Sequence, residues 1–173
     1  MKKLFVLSIL LLCTLAASAQ NDAISKFFSK YENDDSFTQV VVTARMFGLF
    51  ANLDAEDPED QEVIDAVSKV KGLKILTKDN ISNGKEMYAD AFKMIDSKEY
   101  EELMTVKDRE NDMKFLIKEK GGTISELLMV LGGEHEFLIL SLVGDIDLKQ
   151  ISKLSKSMDI EGFENLEKLD KNN

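Results

Sequence analysis

The chain has 173 residues, with 22 lysines and arginines against 32 aspartates and glutamates, a net charge of −10 at pH 7. So acidic a surface repels nucleic-acid phosphates, whose binding needs clustered basic residues, and it disfavours electrostatic docking on anionic lipid. The single cysteine, Cys13, lies in an apolar run near the N-terminus, so the remaining chain can form neither disulfides nor thiolate centres and must draw its stability from its core.

Lys2 and Lys3, an apolar run over residues 4–15 and the small-residue site Ala17-Ser18-Ala19 form the three-part layout of a secretory signal peptide. The run is about twelve residues, too short to span a bilayer as a helix. Residues 1–19 are therefore expected to be removed, giving a soluble periplasmic or secreted protein that starts near Gln20. Loss of the two lysines leaves 20 basic against 32 acidic residues, or −12. A lipid anchor at Cys13 would need small residues before it, and Leu11 and Leu12 are large. No later segment is apolar for long enough to cross a membrane, so no transmembrane helix is expected in the mature chain. Residues 20–158 read as one domain and residues 159–173 as a polar tail.

Ile24, Phe27, Phe28 and Tyr31 mark one face of a helix, with Asn21 or Asp22 as its N-cap. Residues 37–43 read as a strand. Thr43 then competes as the cap of a short helix carrying Met46, Leu49, Phe50 and Leu53. Over residues 57–71, Asp57 caps a helix with Pro58 at its first position and Glu59 and Asp60 at the positive end of its dipole. Val63, Ile64, Val67 and Val70 form the apolar stripe, and Gly72 terminates the helix. Residues 73–77 are a short strand. Asn83 and Glu86 form a capping-box pattern for a helix through Tyr88, Phe92 and Ile95.

Four strands follow, over residues 103–107, 113–120, 123–131 and 136–143. Gly121-Gly122 supplies a two-residue hairpin, and Gly132-Gly133 interrupts the next pair with a slightly longer loop. Short loops demand antiparallel neighbours. Asp147 and Gln150 then cap a closing helix with Leu148, Ile151, Leu154 and Met158 on one side. The predicted fold is α+β, a mostly antiparallel sheet with a C-terminal strand meander and helices packed on one face. Phe137, Ile139 and Val143 point one way and Leu138, Leu140 and Leu142 the other. A strand apolar on both faces is covered on both. Chain segments or long side chains can supply the second cover. The sharper alternative is a groove or oligomer interface on the final hairpin.

No constellation carries chemistry, so no catalytic, cofactor-binding or metal-binding residue is assigned. His135 sits between Glu134 and Glu136 at a turn, where neighbouring side chains do not converge. The acids Asp54, Glu56, Asp57, Glu59, Asp60 and Glu62 lack EF-hand spacing and are explained by helix capping. Asp145 and Asp147 read as turn and cap. Scattered carboxylates leave a glycosidase-like pair open, although the chain has no tryptophan and only three tyrosines to stack on sugar rings.

Gly132-Gly133-Glu134, the run over residues 137–142 and Gly144-Asp145-Ile146-Asp147-Leu148 together resemble a family of small exported bacterial proteins labelled domain of unknown function 4252. The Phe27-Phe28 helix and the Met46-Phe47 pair are similar too. The resemblance implies association with envelope signalling and supplies no catalytic residues; the missing lipid-attachment pattern departs from some members. The leading expectation is an exported, non-enzymatic binding protein. It would take an unknown protein or apolar ligand through its sheet, with homo-oligomerisation open, no nucleic acid and no cofactor. A hydrolase using carboxylates and a structural envelope component are the alternatives.

Overall fold

The computed structural model describes residues 23–50, 57–95 and 98–148. The signal segment, the Asn21/Asp22 cap, Leu53, the closing helix beyond Leu148 and the tail over residues 159–173 lie outside the described residues. The elements run α1 (Ala23–Tyr31), β1 (Thr38–Thr43), α2 (Ala44–Phe50), α3 (Pro58–Ser68), β2 (Val70–Asp79) and α4 (Gly84–Met94), followed by β3 (Glu101–Lys107), β4 (Asn111–Lys120), β5 (Thr123–Gly133) and β6 (Glu136–Ile146). All six strands form one antiparallel sheet in the order β1-β2-β6-β5-β4-β3. The fold is α+β with a C-terminal meander, as expected. Gly121 and Gly122 take φ of 63° and 83°, the left-handed pair that a tight hairpin between twisted strands needs.

Register settles which parity faces the helices. Val130 lies opposite Ile139, and both pack with Leu76 and Phe137 under α1 and α4, where Ile24, Phe27, Phe28, Met87 and Ala91 are buried. We call this the α-face. Phe27 and Phe137 stand 5.7 Å apart between ring centroids, Tyr31 and Phe37 4.5 Å. On the other face, Leu127 lies opposite Leu142 and Met129 opposite Leu140, in a second buried cluster with Phe115 and Met113. The Phe137/Ile139/Val143 series thus points to the helices and the Leu138/Leu140/Leu142 series away. Because β5 and β6 are central strands with most positions buried, the final hairpin offers no open apolar face; Val143, 38% exposed, is the exposed large apolar side chain on it.

Several boundaries differ from the sequence reading. The helix expected over residues 57–71 stops at Ser68, whose hydroxyl donates to the Asp65 carbonyl (2.8 Å). Val70 and Gly72 belong to β2, which β6 and β1 extend by pairing at both its edges. In α2 the buried side carries Phe47, which joins the second cluster, while Met46 and Leu49 are exposed. The short helix is rotated by its seat on β2, which spacing within seven residues cannot specify. Asn83 holds the N-cap position of α4, but its side chain makes no cap bond.

Gly132 and Gly133 are strand residues, and the turn is Glu134-His135. Their smallness serves packing. A Cβ on Gly132 would stand 2.4 Å from the Tyr88 Cβ and 2.7 Å from the Gly84 carbonyl oxygen, so α4 reaches β5 at backbone contact distance.

Candidate functional site

At one end of the α-face the sheet passes from buried Leu128, Ser141 and Glu126 to exposed Val41 and Val143. Cross-strand register there builds two rows of side chains. One runs Val41, Lys74, Ser141, Leu128, and the next runs Thr43, Gly72, Val143, Glu126, Lys118. Val143 is a ridge between two open depressions. One, of about 220 Å³, is lined by Val41, Lys74 and Ser141; the other, of about 280 Å³, by Lys71, Lys120, Ser125 and Asp145. Lys71 lies 3.9 Å from Asp145, both exposed.

Glu126 is 5% exposed at the inner border of this region. The Ser141 hydroxyl donates to its Oε1 (2.6 Å) and the Tyr100 hydroxyl to its Oε2 (2.8 Å), so both carboxyl oxygens are held. Lys118 stands over the Tyr100 ring at 5.6 Å and pairs with Glu99 at 2.6 Å. These groups tie the segment after α4 to the middle of the sheet. Hydrophobic patterning missed the cluster, because Glu126 and Ser141 are distant in sequence and each reads alone as a polar interruption in an apolar strand. Their shared parity on adjacent strands was the available signal.

The two sheet edges differ. On β3, Glu101 and Glu102 are exposed, the strand bulges between Glu102 and Met104, and Lys114 pairs with Glu102 at 2.7 Å. That bond, with the Thr105 hydroxyl, holds the Glu102 carboxyl below its ordinary range. β1, with the sequence TQVVVT, has no charge, proline or bulge, and Val41 is 59% exposed. Lys74 and Lys78 of the adjacent strand stand over the Phe28 and Phe37 rings on the α-face.

The motifs weighed in the sequence do not converge. His135 is exposed, its Nδ1 3.3 Å from the Ile81 carbonyl oxygen. Asp57, Asp60 and Glu62 are exposed on or beside α3, while Asp54 and Glu56 lie outside the described residues. Among the described residues no group of three or more His, Cys, Asp or Glu side chains could hold a metal ion, and no helix is long and apolar enough to cross a membrane.

No curated protein and no solved structure matches the chain. A family model, described as domain of unknown function (DUF4252), matches residues 31–154, from the end of α1 through the whole sheet. That span covers well over half of the 173 residues and includes every strand, so the chain belongs to the DUF4252 family.

Proposed function

We propose that this chain is an exported, non-enzymatic binding protein of the bacterial envelope that takes an extended polypeptide segment onto β1, an edge strand of the sheet among the described residues. The observation carrying this reading is the contrast between the edges. Unpaired backbone groups on an edge strand template the addition of another strand, and proteins guard them with charges and bulges. β3 has both guards and β1 has neither. Main-chain hydrogen bonds would supply affinity and alternate side chains specificity. Lys74 and Lys78 favour carboxylates on the α-face positions of the added strand; Val40 and Val42 favour apolar residues on the other side. The signal-like residues 1–19 support export. The buried carboxylate of Glu126 has both oxygens occupied by hydroxyls, which suits a structural strut better than a hydrolytic acid or base.

The test places a photo-cross-linking residue at position 41, and as control at Thr105 on the β3 edge, in the native bacterium. Position 41 should capture one partner that position 105 does not. Val41→Lys in a chain cross-linked from position 40 should abolish that capture with little change in melting temperature. Equal capture from both edges, or none, would remove the reading.

A further inference from the structure

We propose that the depression at Gly72 and Ser141 is a binding site for a small aliphatic carboxylate, held by Lys74 with Lys71 beside it. Glycine inside a strand weakens it and often marks a bulge or the close approach of a ligand. β2 does shift register between Val70 and Gly72, but the glycines with positive φ are Gly121, Gly122 and Gly144, so the irregularity does not itself require glycine at 72. Packing does not require it either. A Cβ on Gly72 would meet the Val42 carbonyl oxygen at 3.8 Å, an ordinary contact, whereas a Cβ on Gly132 meets Tyr88 at 2.4 Å. What the bare backbone leaves is the open depression of about 220 Å³, lined also by Val41 and Val143.

The chemistry of the lining selects the occupant. Val41 and Val143 are exposed apolar side chains. The Ser141 hydroxyl already donates to Glu126 at 2.6 Å, so the cationic side chains carry the polar recognition. Lys74 is half-buried and stands over the Phe28 ring at 5.8 Å, but it forms no ion pair among the described residues. Lys71 reaches Asp145 at 3.9 Å, with both side chains exposed. On β4, by contrast, Lys114 and Lys118 are held by Glu102 and Glu99 at 2.7 and 2.6 Å. In a chain with ten more acidic than basic residues, a partly desolvated ammonium that no carboxylate meets is a site for an anion. An apolar body against the valines and a carboxylate on Lys74 match this arrangement. Pockets for drug-sized ligands run about 300–1,000 Å³, so the smaller volume here suits an acid of a few carbons. Such a ligand needs no main-chain pairing, and the site is independent of strand addition at β1.

Hexanoate titrated into the full chain with isotope-labelled methyl groups should shift the Val41 and Val143 signals saturably. The neutral isostere hexanamide should bind about tenfold more weakly or worse, the loss expected for a charge-assisted contact at a partly exposed site. Lys74→Gln should cost hexanoate a similar factor and leave hexanamide unchanged. Gly72→Val fills the depression with a residue that strands favour; it should abolish the shifts while the melting temperature holds or rises. Gly72→Ala, the smaller plug, should weaken hexanoate and serves as the test if Gly72→Val does not fold. No saturable shift at about 10 mM hexanoate, enough to fill a millimolar site, would overturn the proposal. So would equal affinities for hexanoate and hexanamide, tighter binding of hexylamine, or unchanged affinity in the folded Gly72 variant. Tighter binding of N-acetyl-leucine than of hexanoate would assign the site to a peptide terminus and overturn the small-acid reading.

Discussion

Ser141 and Glu126 lie diagonally across the β5–β6 ladder, joined by a 2.6 Å hydrogen bond from the serine hydroxyl to the carboxylate Oε1 inside an otherwise apolar sheet. Tyr100 donates to the other oxygen, so one buried carboxylate anchors the start of the meander to its last strand.

Ser141→Ala and Tyr100→Phe should each lower stability by about 1–3 kcal/mol, because each strips a donor from a buried acceptor. Their effects should be non-additive, since both act on one carboxylate. Replacing all three groups with apolar ones (E126L/S141A/Y100F) should cost less than the two single losses combined. Urea unfolding of the two single variants, the S141A/Y100F double and the triple reads this directly, and strict additivity of the two singles in the double would refute the strut.

Gly132→Ala should destabilise by about 1–3 kcal/mol or more, since the new methyl meets Tyr88 and the Gly84 carbonyl and α4 must move off β5. Gly48→Ala inside α2 meets nothing within 4 Å and should stabilise by about 0.4–1 kcal/mol through the unfolded chain. Opposite signs in thermal melts are the expected outcome.

Burial pushes the Tyr88 phenol up to about 12, with Asp112 and Glu102 adding to the shift. The folded state therefore holds this proton more tightly than the unfolded chain, whose tyrosines titrate near the ordinary value of about 10. The resulting stability is complete below about pH 10 and declines as pH rises toward about 12. Tyr88→Phe should flatten this alkaline arm relative to wild type. At the acid end the exposed Asp34, Asp90, Glu102 and Asp108 carboxyls sit below their ordinary values through hydrogen bonds. Their support is present above the unfolded pKa values and fades as pH falls through the folded ones.

Cleavage after Ala19 is the expected processing event, and intact mass of the exported protein should place Gln20 first. A retained Met1, or a lipid on Cys13, would contradict soluble export.

Local sequence was sufficient for the α+β class, the tight turn at Gly121-Gly122 and the four-strand meander, because strand period and positive-φ turns are local rules. The apolar residues on both faces of β6 also required two covered faces. Tertiary contact decided the rest. Ser68 rather than Gly72 ends α3 because β2 gains more by pairing on both edges than the helix gains by another turn. Gly132-Gly133 looked like a loop signal, but the glycines stay in β5 because α4 packs against their bare backbone. Glu126 and Ser141 become one cluster only when register sets their strands side by side, and β1 becomes the unguarded edge only when β2 pairs with β6 across a long chain separation. Sequence periodicity fixes which side chains share a face of a strand; strand order and register, set by the burial of the whole sheet, decide what that face meets.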